Sequence, residues 1–304
     1  MSSTRSDAVA LSPSAVRWAR RRSSLRRFWT AFRGQRAGLA GLGILAVFVV
    51  LALAAPLLFS EDELDVTKAT GDVLAPPTRG FPLGTDESGR SVLALVVWGA
   101  RVSLLVGISA TVISMAIGTL VGIASGHFGT WVGAILERLT DWFLVIPFLP
   151  LAIALSTVLG ASLLNVIVVI GVTSWPGTAR LVRAQTLSVE ARPYLERARV
   201  LGGGHWHQMS RHVLPNVMPL VLANTTLTVA IAILSETTLS FLGLGDPFRV
   251  SWGSMLDNAF GAGAISSGAW WYTMPPGVCV VVVVLAFTLV GRALENVLDP
   301  RAGK

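Results

Sequence analysis

Six long apolar stretches alternate with polar segments along the chain, at about 37–59, 102–125, 139–159, 163–182, 216–240 and 273–293. Each can cross a hydrocarbon core as a helix, which takes ~20 residues. The expected fold is therefore all-α, with six transmembrane helices. Only Gly160-Ala161-Ser162 separates the third stretch from the fourth, which predicts a helical hairpin. Within the first stretch, Ala52-Leu53-Ala54 has the small-x-small look of a signal-peptide cleavage site. The long segment before it, and an apolar run that continues through Pro56-Leu57-Leu58-Phe59, favour an uncleaved span. This pattern divides the chain into a basic tail at 1–36, a first transmembrane helix at 37–59 and an outer loop at 60–101. A core of five transmembrane helices follows at 102–293, interrupted by a polar loop at 183–215, and a short tail at 294–304 ends the chain.

Composition agrees with a polytopic membrane protein: 53% of residues are apolar, 13% are charged, and the mean hydropathy is +0.66. A soluble domain carries about 25% charged residues. The single cysteine, Cys279, lies in an apolar run, so neither a disulfide framework nor a cysteine metal site is available.

The net charge of +7 raises nucleic acid as a partner, but its placement points to a membrane surface. Nine basic residues lie in the N-terminal tail. With that tail in the cytoplasm, Arg138, six residues from Arg180 to Arg211, and Arg292, Arg301 and Lys304 bring the inner total to 19. Lys68, Arg79, Arg90, Arg101 and Arg249 make five outside. Lys and Arg accumulate on the cytoplasmic side, so both termini and the 183–215 loop are expected there. Residues 1–14 are rich in Ser and small side chains and are expected to be disordered. Further on, Phe28 and Phe32 sit at i and i+4 among arginines, as in an amphipathic helix resting on membrane lipid. No nucleic-acid partner is expected.

One polar segment stands out. From Tyr194 it reads YLERARVLGGGHWHQMSRHVLPNVMP, basic and glycine-broken, between apolar runs. Pro193 suits a first helical turn, Tyr194, Ala198 and Leu201 recur at i, i+4 and i+7, and Gly202-Gly203-Gly204 stops the helix. So short a helix is marginal alone in water and needs a surface: either lipid headgroups or a groove on a soluble partner. Its three histidines, His205, His207 and His212, invite a metal reading. His205 and His207 lie on opposite helix faces with no carboxylate or Cys beside them, so polar interface roles are expected and no metal.

Glu196-x-Ala198, Gly202 and His212-Val213-Leu214-Pro215-Asn216 resemble the EAA loop of ABC-importer permeases, the cytoplasmic element that docks on the ATPase. Arg197 stands where Ala is usual, and Gly203-Gly204 where Ala-Ser is common. Other stretches follow in the family's order. Phe81-Pro82-Leu83-Gly84-Thr85-Asp86-Glu87-Ser88-Gly89-Arg90 resembles Pro-Leu-Gly-Thr-Asp-x-x-Gly-Arg-Asp, with Ser91 in place of the last Asp. Gly99-Ala100-Arg101-Val102-Ser103-Leu104, Arg138-Leu139-Thr140-Asp141 with Ile146-Pro147, and Trp175-Pro176-Gly177 come next. Leu239-Ser240-Phe241-Leu242-Gly243-Leu244-Gly245 with Ser251-Trp252-Gly253, and Leu298-Asp299-Pro300-Arg301, complete the set. Together they resemble the oligopeptide/dipeptide/nickel group, in particular its second, dipeptide-type permease.

That resemblance implies a type I ABC-importer permease fold in a bacterial plasma (inner) membrane and no catalytic role for this chain. Its partners would be a homologous permease subunit, two cytoplasmic ATPase subunits and an extracytoplasmic substrate-binding protein. The cargo would be di- or oligopeptides, with nickel chelates and haem as alternatives within the group. Tyr194, Glu196, Ala198, Leu201, Gly202, His212 and Pro215 would couple to the ATPase. Asp86, Arg90, Arg101, Glu236 and Trp252 are candidates for the outer loops and gate.

Independent readings stand beside these. Leu83-Gly84-Thr85-Asp86 reads as a turn in which Asp86 caps the next helix. Gly118, Gly122 and Gly126 form overlapping GxxxG repeats, read as close helix packing. Trp270, Trp271 and Tyr272 suit the outer interface. Glu236, near the outer end of the fifth span, either faces the bundle interior or snorkels to the headgroups. No Gly-x-x-x-x-Gly-Lys-Ser/Thr occurs, so the chain is expected neither to bind nor to hydrolyse ATP, and it calls for no cofactor. A secondary transporter would show inverted repeats, and a simple membrane anchor would not need the outer-loop motifs.

Overall fold

The computed structural model describes Trp18, Ser23 and residues 26–298. The expected disorder at 1–14, and the tail beyond Leu298 with the Asp299-Pro300-Arg301 part of its motif, lie outside the described residues. The described backbone is helical apart from turns, loops and an isolated antiparallel bridge between Thr85 and Ser91.

Residues 26–33 form a short helix whose Phe28 and Trp29 stack on Phe32, at 6.2 and 5.9 Å between ring centroids. Phe32 is buried against Val290 and Ala293 near the other end of the described chain. Helix α1 (Arg36–Leu58) then crosses the bundle as a peripheral element. Val47, Val50, Leu53 and Leu57 are exposed along it, as a helix solvated by lipid or by a second subunit requires.

Helix α2 (Val92–His127) spans 36 residues and is the central element. It begins at Val92 rather than near residue 102, because Ser91 caps it by accepting from the Ala94 amide at 3.4 Å. Asp86, expected as the cap, closes the preceding turn instead. The next apolar stretch divides into α3 (Trp131–Val145) and α4 (Phe148–Leu159), bent by 90°. Pro147 has no N–H to donate and pushes Ile146 into extended backbone, so one straight span is impossible there. Asn165 closes the α4–α5 hairpin by donating to the carbonyls of Leu159 and Gly160.

Helix α5 (Leu163–Thr173) runs past a hitch at Ser174 into α6 (Trp175–Glu190). The 183–215 region is therefore mostly helical: the end of α6, then α7 (Pro193–Val200), then α8 (His205–Gln208). A π-turn at Met209–Val213 joins α8 to α9 (Leu214–Phe241). Pro215 and Pro219 lack the N–H groups that a regular α-helix would use here, which favours such an irregularity. Helices α10 (Trp252–Gly261) and α11 (Trp270–Leu298) complete the order.

Packing centres on α2, which touches α1, α5, α6 and α9, while α11 packs on α1 and α9. Gly118, Gly122 and Gly126 lie directly against α6. A Cβ on them would come within 2.7–2.8 Å of Thr178, Val182 and Thr186. The α2–α6 pair is thus in backbone-close contact over this half of its length, which dispersion forces favour where water cannot drive association.

Candidate functional site: a docking helix and an outer cavity

The polar segment after α6 is built around one anchor. Leu195 is fully buried among Met115, Ile123, Val182, Val189, Val213 and Val217. Burying such a side chain contributes about 2 kcal/mol. With Leu195 inward, the Tyr194, Ala198 and Leu201 stripe turns elsewhere. Tyr194 is at the surface, Ala198 is half-buried, and Val200 and Leu201 are 83% and 87% exposed. Glu196 is exposed beside them and forms no ion pair among the described residues. Trp206, on α8, adds a further exposed apolar side chain.

Glycine sets where α7 ends. Gly202 has φ +83°, donates to the Arg199 carbonyl at 2.9 Å, and Gly203 donates to the Ala198 carbonyl at 2.8 Å. This is a Schellman stop, with the left-handed residue at Gly202. His212 lies in the π-turn, its ring 6.0 Å from Tyr194 and 5.6 Å from His207. Pro215 is exposed in the first turn of α9.

A chain of hydrogen bonds that sequence reasoning missed runs from the buried His127 out to the half-exposed Arg199. His127, the last residue of α2, has a buried ring. Its Nδ1 lies 2.5 Å from Glu190 Oε1 at the end of α6, and its Nε2 lies 2.9 Å from His205 Nδ1 on α8. Arg199 of α7 donates to the other Glu190 oxygen and, through Nε, to Gln208 Oε1 at 3.1 Å. Gln208 in turn donates to the Gly203 carbonyl at 2.5 Å. Residues 63 and 78 positions apart meet here, and no local periodicity signals such a contact. His205 and His207, adjacent in the motif, thus take different partners.

The opposite end of the bundle is constructed differently. Asp86 is completely buried and accepts from the Ser88 and Arg90 amides at 2.9 and 2.8 Å. Its other oxygen pairs with Arg90 Nε at 2.6 Å, while Arg90 also reaches the Leu64 carbonyl at 3.1 Å. Both side chains hold the outer loop together. Glu236 is buried inside the bundle, not at the headgroups, and accepts from Ser103 at 2.9 Å and Ser240 at 2.8 Å. Ser103 accepts from the Trp252 amide at 3.3 Å. Trp252 is itself buried, donates its indole N–H to the Val96 carbonyl at 3.0 Å, and meets Phe48 edge-on.

Next to this clamp lies a cavity of about 1070 Å³, lined among others by Trp98, Arg101, Leu105, Asp246, Arg249 and Asp257. Asp246 is engaged, accepting from the Leu163 and Phe248 amides. Asp65, at the rim, caps a short turn, and the Thr67 hydroxyl and amide hold its carboxyl below the ordinary carboxylate range. Arg101 lies 5.7 Å over the Trp98 ring and forms no ion pair among the described residues. Of the outer candidates, Arg90 and Arg101 line the cavity, whereas Asp86, Glu236 and Trp252 brace its walls.

Residues 118–304 match the family model described as binding-protein-dependent transport system inner membrane component. Residues 23–77 match the N-terminal TM domain of oligopeptide transport permease C. The chain belongs to this permease family. A di/tripeptide transport system permease of Pseudomonas aeruginosa is 36% identical over 92% of this chain and 93% of its own length. The dipeptide transport system permeases of Bacillus subtilis and Haemophilus influenzae are 34% and 33% identical, over 90% and 92% of this chain. They are covered over 84% and 96% of their own lengths. The permease is thus a non-catalytic, multi-pass subunit of the inner membrane with an all-helical transporter fold.

Proposed function

We propose that this permease is one of two homologous membrane subunits of an ATP-driven importer of di- and oligopeptides. Two cytoplasmic ATPase subunits bind its inner face, and an extracytoplasmic binding protein delivers peptide to its outer loops. Both termini and the 183–215 region face the cytoplasm. The observation that carries this reading is α7: a short helix anchored by one buried leucine, with Tyr194 at the surface beside His212, and Glu196, Val200 and Leu201 exposed around it. Such a face fits a helix-in-groove contact with a soluble partner. Tyr194, Glu196, Ala198, Leu201, Gly202, His212 and Pro215 form or frame that contact. On the outer side, Arg101 faces the peptide route, supported by the Asp86–Arg90 pair, Glu236 and Trp252.

Orientation is supported by the 19-to-five distribution of basic residues, and the packing of Phe32 against Val290 and Ala293 of α11 agrees with termini on a common side. Tags at residue 1 or 304 should be protected in intact cells and a tag near Val73 exposed; a protected tag near Val73 overturns the orientation. For function, the chain is purified from its native membrane and assayed in vesicles. Co-purifying ATPase subunits and ATP-dependent dipeptide uptake are expected. Uptake driven by an ion gradient without ATP would make it a secondary transporter. ATP-dependent uptake of nickel chelate or haem in place of peptide would change the cargo alone.

A further inference from the structure

We infer that His127 is a positioning residue that ties the docking segment to α2, so that movement of α7 reaches α2 and α6 together. This rests on the peptide-importer reading above and adds to it the route by which force enters the bundle. Covalently, α7 is held loosely toward α9. Gly202-Gly203-Gly204 follow its C-cap Leu201, and a π-turn lies before α9. Glycines absorb backbone rotation, so a push on α7 would dissipate there. The apolar contacts around Leu195 hold the helix down but are non-directional and permit sliding.

The hydrogen-bonded chain bypasses this hinge. Arg199 and Gln208 bridge the glycines from side to side, and Gln208 also holds the Gly203 carbonyl. Glu190 gathers Arg199 and His127 on its two oxygens. His127 uses both ring nitrogens, one toward Glu190 and one toward His205, so its ring has a single orientation in which both are satisfied. A carboxylate only accepts, so Nδ1 carries the proton toward Glu190. The Phe128 ring packs edge-on against the imidazole at 5.1 Å and shields it. Beyond His127, the glycine row seats α2 on α6, and farther out Ser103 of α2 holds Glu236. Displacement at α7 is therefore handed to a stiff pair of helices that reaches the outer clamp.

The test uses the complete transporter in vesicles, with both permeases, the ATPases and the loaded binding protein, and radiolabelled dialanine as the probe. The measured quantity is dialanine accumulated per ATP hydrolysed. His127→Phe keeps a planar ring and removes both hydrogen bonds; the ratio should fall about tenfold, the scale for losing a charge-assisted bond, while the complex still assembles and hydrolyses ATP. His127→Asn, which can still donate to Glu190 from the Nδ1 position, should recover much of the ratio. If His127→Phe does not assemble, His127→Asn and Glu190→Gln decide. A lowered ratio in Glu190→Gln with recovery in His127→Asn supports the inference. A normal ratio in both, with only the yield of complex reduced, makes the network purely structural and overturns it. An unchanged ratio in an assembled His127→Phe transporter also overturns it. If the unmodified assembly takes up no dialanine with ATP, the importer reading itself fails, and the inference with it.

Discussion

The two polar ends of this permease are built on opposite plans. At one end the polar groups face one another: buried Asp86 with half-buried Arg90, and Glu236 with Ser103 and Ser240 and Trp252 with Val96, all of these buried. At the opposite end the buried His127 ring pairs with Glu190, while Val200, Leu201 and Trp206 are exposed beside exposed Glu196 and Arg199. The first plan makes a rigid wall around a cavity. The second makes a helix that is incomplete alone. A buried charge must be paired to be tolerated, whereas an exposed apolar stripe remains until something covers it. The contrast separates an end whose polar groups hold its shape from an end that, on the proposed function, would receive a partner.

Breaking the outer plan should have the largest effect. Asp86→Ala removes three accepted hydrogen bonds and strips Arg90 of its main partner in a buried site. Removing one member of such a pair costs about 3–5 kcal/mol. The melting temperature of the detergent-solubilised protein should drop sharply, as should the yield. An unchanged melting temperature would mean that the outer loop does not depend on this pair.

At the inner end, Leu195→Ala is the matching test. It opens a cavity under α7 at a cost of about 3 kcal/mol, but the loss is confined to the docking segment. Limited proteolysis at the Gly202–Gly204 stretch should accelerate while the melting temperature of the bundle changes little. Equal loss of global stability would show that α7 belongs to the core and not to a separable docking element.

What could be read in advance follows the same division. Long apolar runs report helices crossing a membrane, so the all-helical fold and the hairpin at Gly160 were legible. The stop of α7 was legible as well, because three consecutive glycines leave little alternative. Which face of α7 turns inward was not. Tyr194, Ala198 and Leu201 share a helical period, but Leu195, one position on, is selected by the pocket beneath it, and packing decides that. The start of α2 at Val92 lies ten residues before the apolar stretch read from 102, because its first turns precede the charged Arg101. Its guanidinium instead lies over Trp98 at the cavity. Pro147 carried the signal for the break between α3 and α4, and the surrounding apolar residues masked it. The His127–Glu190–His205 cluster joins three distant segments and left no local trace.

Gly202→Val probes the inner end more finely. No atom lies within 4 Å of the position where a Cβ would be added, so the penalty is purely conformational. A β-branched residue held at φ +83° costs roughly 1–2 kcal/mol. The last turn of α7 should fray, and ATPase association should weaken while the chain inserts normally. Gly202→Asn should recover part of the loss, since Asn tolerates left-handed backbone. Full uptake by Gly202→Val would remove the Schellman stop from the coupling mechanism.

The smallest change in stability, and the sharpest test of the outer cavity, comes from Arg101. Its contact with Trp98 is worth about 0.5 kcal/mol at an exposed site, so Arg101→Gln should fold and assemble normally. What it removes is a guanidinium at the cavity wall with no carboxylate partner among the described residues. On the proposed function, a peptide taking this route would bring a terminal carboxylate that such a group would meet. Uptake should therefore fall several-fold through a raised KM for the loaded binding protein, and Arg101→Lys, which keeps charge but not the planar fork, should lie between the two. Asp86→Ala would lower uptake by lowering the amount of protein, whereas Arg101→Gln lowers it at constant amount. If both variants act only through protein yield, the outer end is scaffold throughout, and the peptide route runs along some other wall.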